Sequence, residues 1–408
     1  MTGELSTLVR IEDPSFYTDA VSTYHRLQRE APVYYYEPLD MFVLTKHEDV
    51  RFAAQRNDLF SNTSGILLTE FLATPGSDQS PIDEFFDPAG EVFPLTDPPR
   101  HRTLRRLVSP AFTPKALAKI GDELRSACRT LVDTIPRDQT IDYVDVVASR
   151  LPILFASKLM GTTSGDVDLI RKWTDSLETV GSGMLTREEL REHAAEFKKM
   201  GDFFRCEFER RRDGQGSDIV GTLLGAELDG QKLSEARLLA YCMLIMGTGT
   251  DTTRAFLTGM AIALAQDPGQ LRRLREDRTL MSSAIDEAMR WVTPARGFVR
   301  TATIDTEIRG MTIRAGQRVY LLYSAGNVDP EVFPDPTAFD ITREESIKHL
   351  GFGFGVHICI AAQLVRLEAS MLFNMILDRF ETFELTGRPD QVTHLLRNGW
   401  HSAPMAFH

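Results

Sequence analysis

A mainly α-helical chain with a minor β-sheet region is predicted by three observations. Apolar residues recur at helical spacing over most of the length, and strand-like runs are few and short. The composition, 42% hydrophobic and 25% charged, is that of an ordinary globular protein. A chain of 408 residues is long enough for one large domain or several. The Pro/Gly-rich stretch near Ala73 to Gly90 is short and acidic, no repeat or low-complexity tract appears, and a single domain over 1–408 is expected.

In chain order, the periodicity predicts helices over Pro14 to Ala31, Pro99 to Val108, Lys115 to Ile135, Tyr143 to Met160, Asp166 to Val180 and Arg187 to Arg212. Further helices follow over Ser234 to Gln266, Pro268 to Arg275, Leu280 to Val292 and Ala361 to Arg379. Strands are predicted at Val33 to Tyr36, Met41 to Leu44, Val299 to Ala302, Thr306 to Ile308 and Arg318 to Tyr323. The first fourteen residues are polar and lack the apolar run of a signal peptide or membrane anchor, so a cytoplasmic protein is expected. A net charge of −12 argues against a nucleic-acid-binding surface.

One cysteine has a setting that the other three lack. Cys359 follows Phe352-Gly353-Phe354-Gly355-Val356-His357-Ile358 and precedes a helical sequence. Gly353 and Gly355 allow a tight turn and close approach to a flat cofactor, while the next helix aims unpaired N–H groups and its positive dipole end at the sulfur. A buried, inert thiol needs no such loop. Cys128, Cys206 and Cys242 lie singly in helix-like sequence, and no Cys-x-x-Cys pair or zinc spacing is present.

The segment Phe352 to Glu368 resembles the haem-binding signature of the cytochrome P-450 family, the haem-thiolate monooxygenases, and the resemblance extends over nearly the whole chain. It implies the P-450 fold, with haem b between a long central helix and the cysteine-bearing loop. By the same resemblance, Cys359 is the iron ligand and Phe352 and Gly353 lie against the cofactor. Ala361 stands where the family usually has glycine, and its methyl group would narrow the space between helix and porphyrin.

The longest predicted helix contains Gly247-Thr248-Gly249-Thr250-Asp251-Thr252-Thr253, and each glycine there costs about 1 kcal/mol relative to alanine. Threonine hydroxyls can bond one turn back and bend or widen a helix; a close helix crossing would equally call for small residues. The segment is similar to the family's oxygen-activating motif. That implies Gly249 near the cofactor, Thr252 donating a hydrogen bond to dioxygen or water at the iron, and Asp251 relaying protons. Glu287 and Arg290 share a helix face and resemble the family's buried Glu-x-x-Arg pair. Asn327 to Phe339 is close to the family's meander, but Ala338 replaces the usual arginine, so a third partner for the pair must come from elsewhere or be missing.

His101 and Arg105, four apart on one helical face, together with Arg300 and His357, match the family's contacts to the haem propionates. Arg100, Arg102, Arg106, Lys115 and Lys119 put five cations within twenty positions. The resemblance places them on the cysteine side, where an acidic iron-sulfur or flavin donor docks. No flavin or iron-sulfur motif is present in this chain. Electrons from NAD(P)H are therefore expected through ferredoxin and ferredoxin reductase, or a flavin donor, to a monomeric monooxygenase that consumes O2.

The expected pocket segments are Gly65 to Phe93, Trp173 to Leu185, Cys242 to Gly247, Ala295 to Val299 and Leu396 to His401. Ile66, Leu67, Leu68, Phe71, Phe85, Phe86, Met184, Met243, Phe298 and Trp400 in them suggest an apolar terpenoid, steroid or branched lipid. Arg296 is a candidate anchor for a polar group on such a substrate, or else turns outward to solvent or to a carboxylate. The rival readings are a peroxide-driven haem-thiolate enzyme, a haem-thiolate isomerase or dehydratase, and a non-catalytic haem sensor.

Overall fold

A computed structural model describes residues 5, 7–71, 91–162, 167–182, 187–211, 216 and 218–408. The central helix forms as Glu235–Gln266, unbroken for 32 residues, and opens with the Ser234 hydroxyl accepting the Arg237 N–H. Arg150–Met160, Val167–Ser182, Arg187–Arg210 and Met281–Val292 all pack on it. That surround is why it is apolar on nearly every side. At Gly247 a methyl group would stand 2.5 Å from Leu177 Cδ1, so this glycine admits the crossing of Val167–Ser182.

Several predicted helices divide where local capping competes with continuation. Pro14 to Ala31 becomes a tight 3₁₀ turn, Pro14–Asp19, capped by Asp13, and a helix Val21–Glu30. Lys115 to Ile135 becomes Pro114–Lys119, capped by Thr113, and Gly121–Asp133. Tyr143 to Met160 begins with a wide π turn, Val144–Ala148, before Arg150–Met160. The helix His47–Gln55 was not expected. Its signal is short: Glu48 and Asp49 in the first turn, then the buried Val50, Ala53 and Ala54 on one face.

Four predicted strands join Phe60–Ser61 in a five-stranded sheet, in the order Val33–Tyr36, Met41–Leu44, Arg318–Leu321, Phe298–Ala302, Phe60–Ser61. Only the pairing of Met41–Leu44 with Arg318–Leu321 is parallel. Met41 and Val43 feed one apolar cluster while Phe42 and Leu44 feed another, so the sheet is buried on both faces. Thr306–Ile308 pairs with Met311–Ile313 in a separate hairpin. A second sheet of Phe383–Leu385, Pro404–Phe407 and Thr140–Asp142 was too short-stranded for alternation to reveal.

Candidate active site

The cysteine loop is closed by the Cys359 N–H, which donates to the Phe352 carbonyl at 2.8 Å. Gly353 and Gly355 adopt φ of +70° and +75°, a region that side chains disfavour. At Gly355 the structure shows a close approach to protein. A methyl group there would stand 2.4 Å from the Ala54 carbonyl oxygen, so the loop rests on the helix His47–Gln55. The Phe352 ring lies 5.4 Å from His349 and 5.1 Å under the Arg366 guanidinium.

Burial pushes the Cys359 thiol up, while the backbone N–H groups of Ala361 and Ala362 and the charge of Arg105 pull it down. Arg105 Nη2 donates to the Ile358 carbonyl at 2.7 Å, beside the sulfur. The Cys128 and Cys242 thiols have no comparable donors, and burial raises both, Cys128 to about 12. Ala361 has φ of −89° as the residue before Ala362–Arg379, a conformation open to any side chain. Alanine is therefore unstrained there.

His101, Arg300 and His357 converge with a shared deficiency. The two imidazoles lie 4.3 Å apart between ring centroids. Both nitrogens of His101 and Nε2 of His357 are buried without a hydrogen-bond partner among the described residues. Burial first, then the neighbouring Arg105 and Arg300, hold His101 down to about 4 and His357 to about 3. Arg300 is 3% exposed, and its contacts are the neutral Val299 carbonyl, at 2.8 Å, and the Tyr323 hydroxyl. A buried guanidinium and two unsatisfied imidazoles call for an anion. The two propionates of a haem meet that need, and the donor set with the Cys359 sulfur fits the group.

The central helix supplies an open stripe. Within the otherwise buried stretch, Leu244, Thr248, Gly249 and Thr252 remain accessible, at spacings of one helical turn. A methyl group on Gly249 would meet no protein atom within 4 Å, so unlike Gly247 it faces open space. Thr248, Thr250, Thr252 and Thr253 each donate to a carbonyl one turn back, the Thr252 hydroxyl to Thr248 at 3.0 Å. A hydroxyl has one proton to give. In this arrangement the Thr252 proton is directed at Thr248 and its lone pairs face the open side. Asp251 is buried and ion-paired with Arg254 and Arg397, and Arg254 also reaches Asp175 at 2.7 Å.

Glu287 and Arg290 are both 0% exposed and joined by two hydrogen bonds of 2.8 and 2.7 Å. Arg290 also donates to the carbonyls of Asn327, Pro336 and Ala338. The third partner that Ala338 cannot supply is Arg343, whose Nε reaches Glu287 at 3.2 Å. Ser346 and the Asp340 N–H complete the carboxylate's shell. The meander is thereby fastened under the cysteine loop.

Other expectations shift. Trp173 packs on Phe203 and Met243 is fully buried in the main core, so these two are core rather than pocket wall. Apolarity alone does not separate core from wall. Trp400, partly exposed, lies against Gly259 and lines a cavity of about 840 Å³ beside Ile262 and Trp291. Leu68 joins the cluster on one face of the sheet, and Phe71 lies under Arg318. Ile66 docks beside Val299 through a backbone hydrogen bond of 2.8 Å, while Phe298 packs on Tyr323. Phe85, Phe86 and Met184 lie outside the described residues.

Arg296 is 3% exposed and turns neither to a pocket nor to solvent. It donates to the carbonyls of His394 and Arg397 and lies 4.9 Å from the Tyr17 ring. Arg100 is neutralised by Glu91 and Asp229, which removes it from the basic area, while Arg102 and Arg106 stay exposed. Both line a cavity of about 450 Å³ that also touches His101, Arg105 and Val356. Tyr323, Arg343 and Arg397 are contributors that sequence reasoning missed. Nothing in their local sequence distinguishes them from ordinary sheet or loop residues.

A family model described as Cytochrome P450 matches residues 183–398. The chain is 33% identical over 366 residues to the Steroid C26-monooxygenase of Mycolicibacterium smegmatis, spanning 88% of this chain and 81% of that protein. It is 31% identical over 398 residues to the Methyl-branched lipid omega-hydroxylase of Mycobacterium tuberculosis, spanning 93% and 89%. The crystal structure of CYP108D1 from Novosphingobium aromaticivorans aligns with a TM-score of 0.86 at 29% identity, over 99% of this chain and 98% of that one. Among the described residues no helix is long and apolar enough to cross a membrane.

Proposed function

Since the chain belongs to the cytochrome P450 family, has its fold and is a P450 monooxygenase, we propose that it hydroxylates an apolar steroid or a branched or fatty lipid. The family implies haem. We assign Cys359 as its axial ligand, with His101, Arg105, Arg300 and His357 holding the propionates and Phe352, Gly353 and Gly249 bordering the ring. The observation that carries this assignment is the sulfur receiving two backbone N–H groups beside Arg105 and near two buried imidazoles whose nitrogens lack a hydrogen-bond partner among the described residues. When bound, haem supplies the activation of dioxygen and the oxidising power for C–H hydroxylation. The substrate class is supported by the two relatives above, which are named for a steroid and for a methyl-branched lipid.

In this reading the residues of the central helix manage protons. Thr252, its own proton given to Thr248, accepts a hydrogen bond on the open side of the helix, and Asp251 is the acid that resupplies protons. Thr252→Ala is expected to keep haem and substrate affinity while releasing much of its reducing power as peroxide, and Asp251→Asn to slow turnover. The measurement is product formed per NADH oxidised, and an unchanged ratio in Thr252→Ala would remove Thr252 from the mechanism.

Electrons arrive from NAD(P)H through ferredoxin and ferredoxin reductase, or a flavin donor. The docking face we assign holds the exposed Arg102 and Arg106 beside Ile358, which is 43% exposed and adjoins Cys359. Reversing Arg102 and Arg106 to glutamate should slow reduction by an acidic ferredoxin without altering substrate binding. The wild-type rate should fall as salt rises beyond about 0.1 M, where the Debye length is about 10 Å. Equal reduction rates of wild type and the double variant at low salt would place the docking face elsewhere.

A further inference from the structure

We propose that Arg397 is a positioning residue for Asp251, carried to it by a loop that His394 and Arg296 hold in place; this rests on the reading of Asp251 as the proton-supplying acid. The Asp251 carboxylate is gripped from two directions. Arg254 reaches it from one turn along the same helix, and Arg397 from the loop after His394. Arg254 divides its charge with Asp175 on Val167–Ser182. Arg397 is therefore a cation that ties the acid to a separate part of the fold, and it is 6% exposed.

The root of that side chain is fixed by backbone hydrogen bonds. His394 Nδ1 accepts the N–H groups of Leu396 and Arg397 at 3.1 and 2.9 Å. A nitrogen that accepts two N–H groups carries no proton, so the ring is neutral. Burial and the nearby Arg397 keep it so, with a pKa down to about 3. Arg296 donates to the carbonyls of His394 and Arg397 at 3.3 and 3.2 Å, and its own N–H bonds the Leu396 carbonyl at 2.8 Å. Asn398 bonds back to Pro294 at 2.9 Å and to Val292. The loop is thus stitched to the segment 292–296, and the guanidinium it presents holds the carboxylate in place.

Among the described residues, the charged and titratable groups facing Asp251 include Arg254 on its own helix, Arg397 and His394 on the loop, and Asp175 behind Arg254. Losing Arg397 leaves a buried carboxylate with less compensation, which raises its proton affinity. The test uses the haem-loaded enzyme with a surrogate ferredoxin and its reductase, and testosterone as the probe ligand, following NADH oxidation against pH. Arg397→Met should lower the rate about tenfold, a fraction of the 10²–10⁴ that a positioned acid contributes, and move the alkaline limb of the profile, where the acid is lost by ionisation, to higher pH. Arg397→Lys, which restores the charge, should recover most of both.

A second readout needs no turnover. In urea unfolding of the haem-loaded protein, Arg397→Met should raise the unfolding constant about tenfold or more, but by much less in an Asp251→Asn background. If Arg397→Met does not fold, His394→Ala, which loosens the loop, should shift the alkaline limb in the same direction by less. A wild-type rate and alkaline limb in Arg397→Met or in His394→Ala, or equal behaviour of the Lys and Met variants, overturns the proposal. Wild-type behaviour of Asp251→Asn would instead overturn the reading of the acid itself.

Discussion

Replacing Cys359 with alanine is expected to abolish hydroxylation and to remove the long-wavelength absorption band of the reduced carbon monoxide complex. A methyl group has no lone pair to give the iron, and water entering the gap cannot match a thiolate's electron donation. The loop should survive, because its closure rests on backbone: the Cys359 N–H on the Phe352 carbonyl, and Gly355 against Ala54. Haem binding is then weakened rather than lost, since His101, Arg105, Arg300 and His357 are untouched. Cys128→Ala and Cys242→Ala should keep the band. Its persistence in Cys359→Ala would overturn the ligand assignment.

Glu287→Ala should destabilise the protein by about 3–5 kcal/mol, the range for breaking a fully buried ion pair. The variant leaves Arg290 charged and buried with only carbonyls for company, and frees Arg343, Ser346 and the Asp340 N–H from their shared acceptor. Because that carboxylate fastens the meander beneath the cysteine loop, haem retention should fall with stability. Arg343→Ala should cost much less, since Arg290 remains paired. Urea midpoints and the rate of haem transfer to an acceptor globin measure both, and a Glu287→Ala protein as stable as Arg343→Ala would show that the pair is not the fastening point.

Long-period and locally encoded features could be read from the sequence. The central helix announced itself through sustained apolarity, and the cysteine loop through two glycines whose positive φ demands that residue. The Glu287–Arg290 pair was legible because its spacing on one helix face resembles the family's buried Glu-x-x-Arg pair; the spacing alone would equally fit an exposed pair. Contacts made by chain reversal were not. Arg343 reaches Glu287 across 56 positions and Arg397 reaches Asp251 across 146. No local pattern marks either, since an arginine on a loop looks the same whether it meets solvent or a buried carboxylate. The pocket wall was over-read for a related reason: Trp173 and Met243 are apolar because they pack on other helices. Arg296 was misjudged because its partners are main-chain carbonyls, which carry no sequence signature.

The relocation of the third arginine constrains how this chain could have diverged. Glu287 already accepts from Arg290 twice, from Arg343, from Ser346 and from the Asp340 backbone, five donors on a group with about four lone-pair directions. An arginine restored at position 338 would find that acceptor saturated and would bring an extra cation into a space where Arg343 already bonds the Ala338 carbonyl. Loss of Arg343 would still leave four donors on that carboxylate, two of them from Arg290. The two single changes are therefore unequal: adding the second cation crowds a filled site, while removing Arg343 leaves the acceptor satisfied. Ala338→Arg should accordingly be harmful alone and better tolerated in an Arg343→Ala background.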